Sequence, residues 1–214
     1  MPLVGAIVVV IVVGAWWLLR PRGSAEAGLA GYRVVADVPL NGGTSRFDYL
    51  SLDPQAHRLY VAHLGASAII VFDTRTNSVV QDLPGVAGVH GVIAVPELHR
   101  VYASATNDNK VAIIDDQSYS VVASVPAGNY PDGLAYDPDD RKVFVSNEQG
   151  GTDTVIDVDT NQRVADIQVG SDVGNTQYDG TSHRIFVATG GSNQLVEIDP
   201  AANRVVAQHP LPGC

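Results

Sequence analysis

With 214 residues, the chain is long enough to bury one sizeable core, and its 21 glycines and 12 prolines suit many short strands joined by turns. A formal charge of −10 argues against nucleic-acid binding, which relies on Lys and Arg to neutralise phosphates, and points to solubility, a cation or a basic partner. The one cysteine, Cys214, is the last residue, so no internal disulfide can form and cysteine usage does not identify the redox compartment.

Leu3–Leu19 is an uncharged apolar run of 17 residues, with Trp16 and Trp17 near its end and Arg20 and Arg22 just beyond. As a helix it would span about 25 Å, slightly short of a hydrocarbon core. Two readings stand for residues 1–22. One is a cleaved signal peptide, with Ala25-Glu26-Ala27 as an A-x-A-like site; the other is an uncleaved single-span anchor. The arginines follow the run instead of preceding it, which departs from the usual signal-peptide layout. Residues 23–31 read as a linker of small residues, and the periodic domain is assigned to 32–214.

That domain is organised by a 42-residue repeat in four gapless copies: 47–88, 89–130, 131–172 and 173–214. In the first copy, short β-branched runs cover Phe47–Leu52, Arg58–His63, Ala68–Phe72 and Ser78–Leu83, separated by turn signals such as Asp53-Pro54, Asp73-Thr74 and Pro84-Gly85. Four antiparallel strands at this period predict an all-β propeller blade, with almost no helix. Tyr32–Pro39 (YRVVADVP) matches the fourth strand of the other copies. The chain therefore carries five fourth strands but four of each other kind, which predicts an incomplete or open ring in which Tyr32–Pro39 is a closing strand. It also predicts a fragment or open arc of a longer propeller of at least five blades.

Residues that recur in every copy are assigned to the fold. Asp73, Asp115, Asp157 and Asp199 share one position after the third strand and are read as turn caps. His57, His99 and His183, with Arg141 in the remaining copy, share the turn between the first two strands. Asn77, Asn161 and Asn203 share another turn position, where the second copy has Tyr119. Residues that differ between copies are the candidates for function. Alternating strand direction puts the loop into strand one and the loop out of strand two on the same rim, around the central channel. This reading gathers Arg46, Asp48, His63, His90, Asp132, Asn147, Glu148 and Asn175 at one channel mouth as a ligand-binding set. His63 and His90 are the metal candidates, as neutral imidazoles beside carboxylates. A channel lined only by mutually satisfied polar groups and water is the competing reading. The chain has no GxSxG, Walker, HExxH, CxxC or dinucleotide fingerprint.

The strings RLYVAH, RVYASA, KVFVSN and RIFVAT, with VID and NQRV following in the third copy, resemble the YVTN-type β-propeller repeat. RFDYLSLDP, VAHLG, HGV, PDGLAYDP, GNTQYD and LPGC look like the bacterial YncE-like group of exported propellers, over Tyr32–Cys214. The resemblance implies seven blades, of which about three are absent here, and a periplasmic or cell-envelope location, with an inner-membrane tether if the leader is retained. It implies no reaction. The expected role is an exported binding or scaffold module, its partner a protein, a glycan or a small molecule. The alternative is a metal- or cofactor-dependent, oxidoreductase-like enzyme with its site at the channel mouth, since related propellers hold cofactors through histidines. The resemblance names no cofactor for this chain.

Overall fold

The computed structural model describes residues 32–212, which divide between Asp37 and Val38. The apolar run expected to be a signal peptide or anchor, and the linker after it, lie outside the described residues. Among the described residues no helix is long and apolar enough to cross a membrane.

From Leu50 onward the repeat becomes sixteen strands in four separate antiparallel sheets, each in simple sequence order. Blade 1 contains β1 (Leu50–Asp53), β2 (Arg58–His63), β3 (Ala68–Asp73) and β4 (Ser78–Pro84). Blade 2 contains β5 (Val89–Val95), β6 (Arg100–Ala105), β7 (Lys110–Asp115) and β8 (Val121–Pro126). Blade 3 contains β9 (Pro131–Asp137), β10 (Lys142–Asn147), β11 (Thr152–Asp157) and β12 (Gln162–Gln168). Blade 4 contains β13 (Val173–Asp179), β14 (Arg184–Thr189), β15 (Gln194–Asp199) and β16 (Arg204–Pro210). The helical content of the described residues is limited to three-residue 3₁₀ turns at Leu64–Ala66, Pro96–Leu98 and Thr106–Asp108.

Each blade is an amphipathic sheet that cannot bury its faces alone, so the cores form between blades. One core joins blades 1 and 2 through Tyr60, Ile69 and Val71 against Val92, Ala103 and Ile114. A second joins blades 2 and 3 through Tyr102 and Ile113 against Val143, Val145 and Ile156. A third joins blades 3 and 4 through Phe144 and Val155 against Ile185, Val187 and Val196. The inner strands β1, β5, β9 and β13 pack side by side in that order. Among the described residues no strand ladder or core cluster joins the last blade back to the first. The outward face of β1 accordingly leaves Leu50 and Leu52 exposed. In blade 4, Phe186 is only half-buried, whereas its repeat equivalents Tyr60, Tyr102 and Phe144 are buried.

The turns follow the sequence. Asp73 Oδ1 accepts from the backbone N–H groups of Arg75 (2.8 Å) and Thr76 (3.0 Å), and Asp115, Asp157 and Asp199 repeat this bond pair two and three residues on. The shared His position is left-handed in all four blades, with φ of 54° at His57, 51° at His99, 53° at Arg141 and 52° at His183. That backbone geometry, and not chemistry, is common to the position.

Two details depart from expectation. Each fourth strand carries a bulge against its third strand, placing Val80, Val122, Val164 and Val206 outside the ladder, where they are exposed. Tyr32–Pro39 forms no strand. An outer strand needs a free third strand to pair with, and β3, β7, β11 and β15 each already pair with the fourth strand of their own blade.

Candidate site at the channel mouth

The loops into strand one and out of strand two are bound together in every blade. Gly65 N–H donates to Arg46 O (2.9 Å), Asn107 to Ala87 (3.1 Å), Glu148 to Tyr130 (2.9 Å) and Gly190 to Asp172 (2.8 Å). This shared rim carries Asp48, His90, Asp132 and Gly174 at one repeat position, and Tyr49, Gly91, Gly133 and Asn175 at the next. Glycine is required at Gly91, where neighbouring inner strands come close, and at Gly133 it leaves room for the Asn175 side chain. A Cβ on Gly91 would lie 2.1 Å from the Asp132 carbonyl oxygen, and one on Gly133 would lie 2.5 Å from Asn175 Oδ1.

Tyr49 is the centre of the group. Its hydroxyl donates to Asn175 Oδ1 on blade 4, linking the first and last blades at the mouth. Its hydroxyl pKa is pushed up to about 12, first by burial and then by the negative field of Asp132, with Asp48 and Glu148 adding to it. The Asp132 carboxyl is likewise pushed up, first by burial; His90 opposes the shift, and Asp48 and Glu148 reinforce it. Asp132 Oδ1 is buried and has no hydrogen-bond partner. Arg46 Nη2 pairs with Asp48 Oδ2 at 2.9 Å and supplies the nearby positive charge. Carboxylates from three loops thus act on one another and on one phenol.

His90 is buried. Its Nδ1 lies 2.8 Å from the Gly88 carbonyl oxygen, which can only accept, so Nδ1 carries the proton. Nε2 is then left to accept from Tyr130 Oη at 3.2 Å, with the two rings edge to face. Tyr130, like Tyr49, was not among the residues singled out from sequence. For Tyr49 the available signal was its place in a Tyr-Gly-Gly-Asn set that does not repeat.

His63 and Asn147 do not join the group. They share the last position of the second strand, which is buried in every blade: His63, Ala105, Asn147 and Thr189. Asn147 is saturated: its Oδ1 accepts from Gly128 N–H (2.9 Å) and its Nδ2 donates to Thr152 and Thr154 Oγ1 (2.9 Å each). His63 is fully buried, stacked on Phe47 with ring centroids 4.1 Å apart, and its Nε2 is 2.8 Å from Ser45 Oγ. His63 and His90, the metal candidates from sequence, are held by separate sets of neighbours, Ser45 and Phe47 for the one and Gly88 and Tyr130 for the other. Among the described residues no group of three His, Cys, Asp or Glu side chains is arranged to hold a metal ion. The strand-end position turns its side chain into the blade's own loop, and this inward turn is not visible in the spacing.

Comparison with known proteins agrees on the fold. No curated protein matches the sequence. Among solved structures, hydrazine synthase of Kuenenia stuttgartiensis superposes with a TM-score of 0.71 at 19% identity, covering 84% of this chain and 52% of its own. Virginiamycin B lyase from Staphylococcus aureus superposes at 0.70 with 12% identity, covering 81% and 58%. A chain of the mitotic checkpoint complex gives 0.70 at 21% identity, covering 80% and 54%. The chain thus spans little more than half the length of these propeller-like neighbours. A family model described as YNCE-like beta-propeller matches residues 49–183, more than half of the chain. The chain belongs to the YNCE-like β-propellers.

Proposed function

We propose that the protein is an exported binding module of the bacterial cell envelope whose channel mouth receives a cationic group of a protein partner. The observation that carries this reading is the convergence of Asp48, Asp132 and Glu148 on Tyr49, opposed by one nearby arginine, with a buried Asp132 oxygen left without a donor. A carboxylate oxygen held away from water calls for a partner that donates, and a lysine or arginine side chain supplies both the proton and the charge. The chain's overall charge of −10 would draw such a partner in. Export rests on the Leu3–Leu19 run, and N-terminal sequencing of protein recovered from the envelope fraction distinguishes a cleaved leader from a retained anchor.

The test is fluorescence anisotropy of a lysine-rich peptide with the full chain, set against a glutamate-rich peptide of equal length. The lysine peptide should bind in a salt-dependent way. The pair Asp132→Asn and Glu148→Gln should weaken it by about tenfold or more, roughly 1.4 kcal/mol. Equal binding of both peptides, or no effect of the two substitutions, would sink the proposal.

A second reading is favoured by the raised Asp132 carboxyl beside His90 and Tyr49: an enzyme using Asp132 as general acid or base. The neighbours named as a lyase and a synthase share the fold with this chain, and their chemistry is their own. Turnover that disappears in Asp132→Asn while peptide affinity is unchanged would support this second reading over the first.

A further inference from the structure

The rim opposite the mouth carries the turns between first and second strands and between third and fourth strands. Between blades 1 and 2 these turns flank an open groove of about 270 Å³, lined in part by Asp53, Arg58, Pro96, His99, Asp116 and Tyr119. The repeat supplies its own controls. One copy further on, between blades 2 and 3, Val95 stands for Asp53, Leu98 for Ala56 and Val158 for Asp116. All three pack into or against the second core, so that location is plugged. Two copies on, between blades 3 and 4, Lys142 stands for Arg58, and its Nζ donates to Pro200 O (2.7 Å) and Asn203 Oδ1 (3.0 Å), bridging the gap. Between blades 1 and 2 the plugging side chains are replaced by Asp53, Ala56 and Asp116; between blades 3 and 4 the same positions hold Asp137, Asp140 and the buried Pro200.

The groups around this hollow leave a specific demand unmet. Arg58 is already committed, paired with Asp73 and donating from Nε to Tyr119 Oη at 3.3 Å. Asp53 Oδ1 accepts from the backbone N–H groups of Gln55 and Ala56. Asp116 stands where the next two blades have buried Val158 and Pro200. Its Oδ2 is 3.4 Å from His99 Nδ1, and its Oδ1 is buried with no partner. Tyr119 completes the wall from a left-handed backbone, φ 54°, at a position held by asparagine in the other three blades. A bulky side chain is strained there, where asparagine is tolerated more readily. The other blades carry neither a carboxylate nor an aromatic at these two positions; here Tyr119 packs one side against the first core and leaves the rest of its ring to the hollow.

We propose that this groove is a binding site for a small organic cation, a primary ammonium on a short apolar stem. The ammonium donates to Asp116, and the stem lies against the Tyr119 ring and Pro96, where the ring face also attracts the charge. The volume suits a compact ligand and is small for a peptide or polymer chain. This site is independent of the channel mouth and lies on the other rim.

The experiment is amide-resonance mapping of the full chain by nuclear magnetic resonance during titration with n-butylammonium chloride, with n-butanol as the uncharged comparison. Shifts should localise to His99 and Asp116–Tyr119 and saturate with a dissociation constant on the order of 1 mM, with n-butanol weaker by about tenfold. Asp116→Val, which installs the residue that blade 3 carries, should abolish the shifts without lowering the melting temperature. Asp116→Asn provides a second variant of nearly unchanged shape and should weaken binding by about tenfold. The proposal is overturned if the shifts scatter over the acidic surface, if n-butanol matches the ammonium, or if both Asp116 variants titrate like the parent.

Discussion

Replacing Asp153 with asparagine tests how the inter-blade cores handle a buried acid. Asp153 lies on β11, fully buried at the boundary of blades 3 and 4, where the other blades carry Ile69, Val111 and Leu195. One carboxyl oxygen accepts from Thr176 Oγ1 at 3.0 Å, and the other is buried with no partner. Burial raises its pKa from 3.8 to about 7, with the Thr176 bond pulling the other way. The folded state therefore keeps a proton that the unfolded chain releases near pH 4. The resulting stability is fully present below the unfolded pKa, falls as pH rises, and is gone above about 7. A shift of roughly three units at 1.36 kcal/mol each puts the loss near 4 kcal/mol. Asparagine has nearly the same shape and does not titrate, so Asp153→Asn should gain on the parent by about 1.4 kcal/mol per pH unit between pH 4 and 7. Urea unfolding at half-unit steps from pH 4 to 8.5 measures this difference directly. Curves for parent and variant that stay parallel across that range would refute the argument, because they would mean that Asp153 releases its proton equally in both states.

Other substitutions test the blade architecture. Phe144→Ala should cost about 3–5 kcal/mol in denaturant unfolding, whereas Phe186→Ala, at the same repeat position on the uncovered face of blade 4, should cost clearly less. Gly91→Ala forces a methyl group to within 2.1 Å of the Asp132 carbonyl oxygen and should destabilise by about 1–3 kcal/mol, read as a lowered melting temperature. The Asp73 carboxyl, held down to about 2 chiefly by the Thr76 backbone N–H, with those of Arg75 and the Arg58 side chain assisting, should titrate near that value by carboxyl resonance. Its contribution is present above pH 4 and is lost as pH falls through about 2.

The fold was legible because the repeat is in register with its own structure. The 42-residue step places Asp73, Asp115, Asp157 and Asp199 at the same turn, and all four make the same pair of backbone bonds. Comparison of copies also separated Asp48, His90, Asp132 and Asn175 from the scaffold, and these lie on the rim that alternating strand direction predicts. It failed on His63 and Asn147 for a definite reason. Difference between copies signals freedom from the repeat, but not the direction in which a side chain points. At the end of the second strand the chain turns, and whatever stands there is folded into its own blade, whether it is a histidine, an alanine, an asparagine or a threonine.

The same limit explains Tyr119 and the bulged valines. A tyrosine among asparagines looks like drift until its backbone is seen to be left-handed in all four copies, at Asn77, Tyr119, Asn161 and Asn203. The oddity then becomes an energetic one, because the backbone there favours asparagine and the chain carries tyrosine. The valines of the fourth strands show the reverse case. They recur in all four copies, yet a bulge at a fixed repeat position leaves Val80, Val122, Val164 and Val206 outside the ladder and exposed in every blade. Repetition in sequence therefore identifies what the backbone requires, and departures from it identify where something else is required. The backbone dihedrals and the inter-blade packing decide which departures bear on a ligand. On that criterion the Asp116 and Tyr119 pair stands out more sharply than His63 or His90.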